Sequence, residues 1–196
     1  MEKMCTGNVL FCGVGGQGIL LASEITSYAL IEGGFDIKKS EVHGMAQRGG
    51  SVEAHLKYGE KVYSPLIEQG GADIIVAFEL LEALRYLPYA HPGSKVIVNT
   101  QKILPPSVAL GKEEYPADAL AELRSRGLTV YDVDAFAIAR EVGELRAVNM
   151  ALVGAFSNFL PLDENVFLDV ITIRVKKGFE EVNTAAFRKG RALTSE

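Results

Sequence analysis

A glycine-rich turn near the N-terminus is the first candidate for chemistry. Residues 13–18 read GVGGQG and directly follow an apolar run at residues 9–12. Gly13, Gly15 and Gly18 match the spacing G-x-G-x-x-G, which allows a tight turn and close approach of the backbone to a phosphate. Backbone N–H groups at the start of the following helix favour anions. The turn alone fits an NAD or FAD site, a site for another phosphate, or a packing turn. For a dinucleotide, Glu41 is the acidic residue spaced to bind the ribose.

A second polar stretch, EVHGMAQRGG at residues 41–50, lies between two predicted strands and has neither helical nor strand periodicity. Loops at the carboxyl edge of an α/β sheet commonly carry ligand contacts. Gly49 and Gly50 allow close approach of a partner, and Arg48 can bind a carboxylate or phosphate in a bidentate manner. The alternative is a solvated loop that turns at its glycines. We favour a binding or interface role.

The elements that position these stretches alternate along the chain. Apolar strands are predicted at residues 9–12, 73–77, 95–99 and 128–131, with a more polar edge strand at 35–42. Residues 51–58 alternate, and Gly59-Glu60 followed by residues 61–63 indicates a hairpin. Helices are predicted after the glycine turn, at 79–87, and from Asp134, Ala147 and Asp163, the last ending in a charged tail. The pattern predicts one α/β domain over residues 1–196, a three-layer Rossmann-like fold with a mostly parallel, mixed sheet.

Composition excludes several classes of function. The chain has 196 residues and a net charge of −5, which gives no general reason to bind nucleic acid or an anionic membrane. Its apolar stretches are too short to span a bilayer. Only Cys5 and Cys12 are present, without a secretory leader, so a reducing cytoplasm is expected. Two cysteines cannot provide four thiolates for an Fe–S cluster, and the three scattered histidines do not have zinc-site spacing. Cys12 is expected to be a small buried residue.

Together, GVGGQG and EVHGMAQRGGSV resemble the gamma-type subunit of 2-oxoacid:ferredoxin oxidoreductases, and the longer form of the second motif is most similar to the indolepyruvate branch. The segments YSPLI at 63–67 and GADIIVAFE at 71–79 also match, so the resemblance spans residues 8 to about 160. It implies an enzyme that decarboxylates an aryl pyruvate, transfers the acyl group to coenzyme A and reduces ferredoxin. It places thiamine diphosphate, Mg and [4Fe–4S] clusters in a large partner subunit. This chain would be inactive alone, with coenzyme A binding near it as co-substrate.

The resemblance also suggests which residues contact the partner and the coenzyme A route. These are Gly13, Gly15, Gly16, Gln17, Gly18, Glu41, His43, Gly44, Gln47, Arg48, Gly49, Gly50 and Ser64. Individual roles stay open: Arg48 fits a coenzyme A phosphate, a carboxylate or an intersubunit salt bridge, and His43 fits a structural hydrogen bond better than acid–base catalysis. Ser64, Glu79 and Asn99 fit either the same surface or turn and cap roles.

Three hypotheses therefore remain from the sequence. The first is the accessory subunit, for indolepyruvate or for pyruvate, 2-oxoisovalerate or 2-oxoglutarate. The second is a stand-alone NAD- or flavin-dependent oxidoreductase, which rests on the glycine turn and Glu41. The third is a regulatory module that binds a nucleotide or acyl-CoA without turnover. The sequence lacks a recognised nucleophile–base motif that would support the second.

Overall fold

The computed structural model describes residues 5–43, 50–112 and 114–195, and six strands form its central sheet. The strands are β1 (Gly7–Val14), β2 (Asp36–His43), β3 (Ser51–Gly59), β4 (Ala72–Ala77), β5 (Ala90–Asn99) and β6 (Thr129–Val133). Their order is β2-β3-β1-β4-β5-β6. Strands β1, β4, β5 and β6 are parallel, whereas β3 is antiparallel to both of its neighbours, β1 and β2. The predicted mixed, mostly parallel sheet is confirmed.

Eight α-helices accompany the sheet in the described residues. They are α1 (Ile19–Glu32), α2 (Leu80–Arg85), α3 (Pro106–Ala109), α4 (Ala119–Ser125), α5 (Ala135–Glu141), α6 (Val148–Ser157), α7 (Glu164–Arg174) and α8 (Glu180–Ala192). Short 3-10 helices cover Leu87–Tyr89 and Leu145–Ala147. Within the described part of the chain, no helix is long and apolar enough to cross a membrane.

The two faces of the sheet bury separate cores because strand side chains alternate between them. Val9 and Phe11 of β1 face the larger core, which includes residues of α1 and of α5 to α8. Leu10 and Cys12 face the smaller core, with residues of α2 and α4. Cys12 is fully buried, as predicted, and burial raises the pKa of its thiol. Helices on both faces confirm the three-layer α/β prediction.

The hairpin predicted at Gly59-Glu60 is wrong, because residues 61–71 contain no strand. Side chains of the sheet bind the backbone of this segment instead. The N–H of Val62 donates to Oδ2 of Asp36 at 2.9 Å, and the N–H of Ile67 donates to Nδ1 of His55 at 3.1 Å. The sheet is mixed because β3 pairs antiparallel with both β2 and β1.

The helix predicted from Asp163 is confirmed as α7, and the charged tail predicted at its end contains a further helix, α8. Gly178, with φ of +89°, lies between them. Helix α8 crosses α6 so closely that a Cβ on Gly190 would lie 1.9 Å from the carbonyl oxygen of Ala151. Most of the other residues of α8 are polar or charged. The composition of this segment by itself is therefore typical of a solvent-exposed tail.

Candidate functional site

The two sequence motifs meet at the carboxyl edge of the sheet. Strands β1 and β2 run in the same direction on either side of β3, so both end at this edge. The backbone of Val52 pairs with Gly13 on one side and with His43 on the other. Just beyond, the N–H of Gly15 donates to the carbonyl oxygen of Gly50 at 2.9 Å. This bond joins the glycine turn to the end of the second motif.

The glycine turn closes through Gln17. Its Oε1 accepts from the N–H of Val14 at 2.8 Å, and its Nε2 donates to the carbonyl oxygen of Phe78 at 2.8 Å. The same Nε2 lies 3.4 Å from Oε1 of Gln101, beyond the end of β5. Gln17 therefore connects the ends of β1, β4 and β5. Its polar atoms hold the turn together, a structural role that the motif did not reveal.

The turn ends in a position that favours glycine. Gly18 has φ of +79°, in the left-handed region, and is the N-cap of α1 without a side-chain cap. A Cβ on Gly18 would lie 2.6 Å from Nδ2 of Asn149. Asn149 is 3% exposed and its Nδ2 donates to the carbonyl oxygen of Gly18 at 3.4 Å. Both the backbone conformation and the close packing of α6 thus require a residue without a side chain.

The turn opens onto a cavity of about 410 Å³. Helix α1 follows β1 on one face of the sheet and α2 follows β4 on the other, so the ends of these adjacent strands form the crevice where α/β folds bind ligands. The cavity is lined by Gly16, Gln17, Gly18, Leu21, Gln101, Ile103, Phe136, Leu145, Arg146, Val148 and Asn149. None of these lining residues is an acid, a histidine, a serine or a cysteine. The wall is suited to binding rather than to nucleophilic or acid–base chemistry.

Arg146 is the only charged side chain among those lining residues. Its Nε and NH2 each lie 3.0 Å from a carboxylate oxygen of Glu144, and this bonding lowers the pKa of Glu144 to about 2. The guanidinium lies 5.0 Å from the ring centroid of Phe179. The side chain is nonetheless 73% exposed, so Arg146 is held in place while part of it stays open to a ligand. A second cavity of about 160 Å³ adjoins its other side.

Arg146, Glu144 and Asn149 are site residues that were not predicted from the sequence. The only feature of the sequence that could have indicated Glu144 and Arg146 is a glutamate and an arginine two residues apart, directly before a predicted helix. That pattern is common on protein surfaces, and only the return of α6 to the glycine turn brings these residues to the cavity.

A buried polar cluster anchors the end of the second motif. The hydroxyl of Ser51 donates to Oε2 of Glu82 at 2.5 Å and lies 3.1 Å from the hydroxyl of Tyr86. Arg85 donates to the other carboxylate oxygen of Glu82. Glu82 is 3% exposed, and burial raises its pKa despite these bonds. The cluster fixes Ser51, and with it the neighbouring Gly50, against α2.

Glu79 and Asn99 have cap roles. Oε2 of Glu79 accepts from the N–H groups of Leu81 and Glu82 at the start of α2, and its Oε1 accepts from the hydroxyl of Tyr115. Oδ1 of Asn99 accepts from the N–H of Ala135 at the start of α5. Both side chains are at most 1% exposed. The structure thus favours the cap alternative over a place on the open surface.

Two predicted site residues, Ser64 and Glu41, lie away from the glycine turn. Ser64 borders a different cavity, of about 580 Å³, at the opposite, amino edge of the sheet with Gly7 and Asn8. Ser64 therefore does not line the cavity at the glycine turn, and its Oγ accepts from the N–H of Leu66 at 3.3 Å, which fits the turn alternative. Its segment is attached to the start of β2, at the amino edge, by the bond from the N–H of Val62 to Asp36.

Glu41 does not fit the role of a ribose ligand. A dinucleotide fold places that acid on the strand next to β1, but here β3 lies between β1 and β2, so Glu41 is about 10 Å to the side. Its carboxylate pairs with Lys39 at 2.6 Å.

The predicted residues Gly44, Gln47, Arg48 and Gly49 lie outside the described residues, as does the side chain of His43. Elsewhere in the described chain, no group of three acidic, histidine or cysteine side chains could hold a metal ion.

Comparison with known proteins agrees with this architecture. The chain is 39% identical to the indolepyruvate oxidoreductase subunit IorB of Archaeoglobus fulgidus over 93% of its length and 92% of that protein. It superposes on the gamma subunit of a keto/oxoacid ferredoxin oxidoreductase from Geobacter sulfurreducens with a TM-score of 0.72 at 20% identity, covering 96% and 98% of the two chains.

A larger enzyme contains the same fold as one part of its chain. The 2-oxoglutarate:ferredoxin oxidoreductase from Magnetococcus marinus, determined with 2-oxoglutarate, coenzyme A and succinyl-CoA bound, matches 99% of this chain but only 31% of its own, with a TM-score of 0.76 at 20% identity. Residues 8–193 match the family described as pyruvate ferredoxin/flavodoxin oxidoreductase. The chain belongs to the pyruvate ferredoxin/flavodoxin oxidoreductase family.

Proposed function

We propose that this chain is the small subunit of an indolepyruvate:ferredoxin oxidoreductase. The reaction converts an aryl pyruvate and coenzyme A to an aryl-acetyl-CoA and CO₂, and the two electrons released reduce ferredoxin. The observation that carries the proposal is similarity over nearly the full length of both proteins to subunits named for indolepyruvate, at 36–39% identity. Gamma subunits named for pyruvate and ketoisovalerate are less similar, at 28–30%.

In this proposal, decarboxylation and electron transfer take place on a larger partner subunit. That subunit holds thiamine diphosphate with Mg and the [4Fe–4S] clusters, and it delivers electrons to ferredoxin in the cytoplasm. Two observations support the division. The whole sequence has two cysteines, fewer than one cluster needs. The described lining of the cavity offers no nucleophile or base. The chain is accordingly inactive without its partner.

The carboxyl edge of the sheet is the surface that we assign to the partner and to coenzyme A. Leu104 and Leu145 are 55% and 54% exposed beside the cavity-lining Ile103 and Arg146, which gives the edge an apolar rim. Apolar side chains around an open cavity are typical of a subunit interface. Arg146, anchored by Glu144 and partly open, suits a phosphate of coenzyme A. The apolar wall formed by Leu21, Ile103 and Phe136 suits its uncharged arm.

Anaerobic affinity purification of the tagged chain from its native cells tests this proposal. We expect a brown partner that contains thiamine diphosphate and reduces a viologen dye with indolepyruvate only when coenzyme A is present. Indolepyruvate should give a higher kcat/KM than pyruvate, 2-oxoisovalerate or 2-oxoglutarate. A preference for one of those three would reassign the substrate while keeping the subunit role. A colourless chain that elutes alone with bound NAD(H) or flavin would refute the proposal and support the dehydrogenase alternative.

A further inference from the structure

The outer edge of β2 is the longer of the two free edges of the sheet. β2 spans eight residues, compared with five for β6 at the other end. Among the described residues, β2 pairs only with β3. A free strand edge presents unpaired N–H and C=O groups that can pair with another strand. We propose that a second copy of this chain pairs with this edge, so that two antiparallel β2 strands join the two sheets. This inference does not depend on the proposed function.

The charges on β2 indicate which strand can pair with its free edge. Edge strands usually avoid pairing by directing a lysine inward, because the lysine would be buried without a counterion. In this chain Lys39 already has Glu41 two residues away on the same face, with Nζ and Oε1 2.6 Å apart. Both side chains are largely covered, at 24% and 27% exposure. An incoming strand that presents one positive and one negative charge at the same spacing adds cross-strand ion pairs to this one, and another β2 does so.

One register satisfies both charges. When two antiparallel β2 strands are centred on Ser40, Lys39 lies opposite Glu41 of the second copy, and Glu41 lies opposite its Lys39. Shifting the register by two residues places Lys39 against Lys39, or Glu41 against Glu41. A shift by one residue would exchange the faces of the sheet. Opposite charges placed directly across a strand pair are stabilising, whereas like charges are destabilising. The self-complementary register is thus the favoured one.

The other face of β2 adds apolar contact in that register. Val42 is 47% exposed, and it lies opposite Lys38 of the second copy. The methylene stem of a lysine can cover an apolar side chain while its ammonium group stays in water. The two-fold symmetry repeats the contact, so both exposed valines are covered. Ser40, the central residue, faces its own copy across the axis.

Charge reversal tests the pairing in the purified full-length chain. We expect the wild type to sediment as a dimer at micromolar concentration. Lys39→Glu and Glu41→Lys should each raise the dissociation constant about tenfold or more, because one change turns two attractions into repulsions. An equimolar mixture of the two variants should regain the dimer, since the two acidic side chains of one variant then face the two basic side chains of the other. Circular dichroism and thermal unfolding confirm that each variant is folded.

Disulfide trapping tests the register without changing a charge. In a Cys5→Ser background, Ser40→Cys should give a covalent dimer under mild oxidation, because residues directly opposite in a strand pair bring their Cβ atoms close to disulfide range. Thr129→Cys, on the exposed edge strand β6, is the matched control and should give no covalent dimer under the same oxidation. A monomeric wild type, a mixture that does not recover the dimer, or faster trapping through Thr129→Cys would each overturn the proposal. Loss of the large subunit instead of the second copy on charge reversal would also overturn it.

Discussion

The two edges of the sheet both hold cavities, but they differ in what surrounds them. The amino-edge cavity is the larger, at about 580 Å³ compared with 410 Å³. Its Asp73 is already bound, accepting from the N–H of Asn8 at 2.8 Å and facing His91 at 3.3 Å. At the carboxyl edge the glycine turn, the second motif and Arg146 converge from three separate parts of the chain. The difference teaches that convergence of motifs, rather than volume, locates the functional edge.

The largest effect should come from Gly18→Ala. Gly18 and Gly70 both have positive φ, so alanine at either costs about 1–2 kcal/mol of stability. At Gly18 the new Cβ also meets Asn149 at 2.6 Å, whereas at Gly70 nothing lies within 4 Å. We expect Gly18→Ala to lose most of the viologen-reducing activity of the reconstituted complex. Gly70→Ala, the matched control near the amino edge, should keep it once folded. Equal losses of activity would contradict the distinction between the edges.

Interface substitutions should give the next largest effect. Leu104, Leu145 and Leu66 have nearly equal exposures of 55%, 54% and 56%. Because burying a charge in an interface is costly, Leu145→Asp and Leu104→Asp should weaken binding of the large subunit about tenfold or more. Leu66→Asp, outside the carboxyl edge, should leave it unchanged. Titration calorimetry or surface plasmon resonance measures the affinities. Weaker binding of the large subunit by Leu66→Asp than by Leu104→Asp and Leu145→Asp would place the interface away from the glycine turn.

Loss of the cavity charge should be milder and specific to coenzyme A. Arg146→Ala removes a guanidinium positioned for a phosphate, so we expect the KM for coenzyme A to rise about tenfold, equivalent to about 1.4 kcal/mol. The KM for indolepyruvate should not change. Arg124, which pairs with Asp132 and is 53% exposed, gives the control Arg124→Ala. An unchanged KM for coenzyme A in Arg146→Ala would remove this residue from the proposed route.

The smallest effect concerns Glu82, in the buried polar cluster at the end of the second motif. Burial raises the pKa of Glu82 in the folded chain. A carboxyl with a raised folded pKa stabilises the protein below its unfolded pKa of 4.5, and that contribution is lost as the pH rises through the folded value. Glu82→Gln should therefore flatten the dependence of Tm on pH above 4.5, by about 2–4 °C at most. A steeper dependence in Glu82→Gln would contradict the assigned direction.

Local patterns predicted the strands and the glycine turn well. Continuous apolar runs mark β1, β4 and β5, and these strands were confirmed near their predicted positions. The partners of β3 were not predictable from its own residues, because alternation gives the faces of a strand but not its neighbours. The side chain of Asp36 binds the N–H of Val62 where a strand partner was expected for residues 61–63, and no local pattern indicates such a long-range bond.

The candidate site was predicted only in part for the same reason. Gly13 to Gly18 and Gly50 were predicted from motif spacing. Arg146 and Asn149 reach the cavity only because α6 packs beside α1, more than a hundred residues away in sequence. For Ser64 the sequence left open both the site surface and a turn role, because the end of a strand is visible in a sequence, whereas its direction in the sheet is not.

Hydrogen–deuterium exchange on the chain, with and without its large subunit, tests the central claim most directly. We expect residues 14–18, 101–104 and 145–149 at the carboxyl edge to be protected when the complex forms. Residues 57–64 at the amino edge should exchange at the same rate in both states. Protection confined to residues 57–64, with unchanged exchange around the glycine turn, would show that the large subunit does not bind at the carboxyl edge.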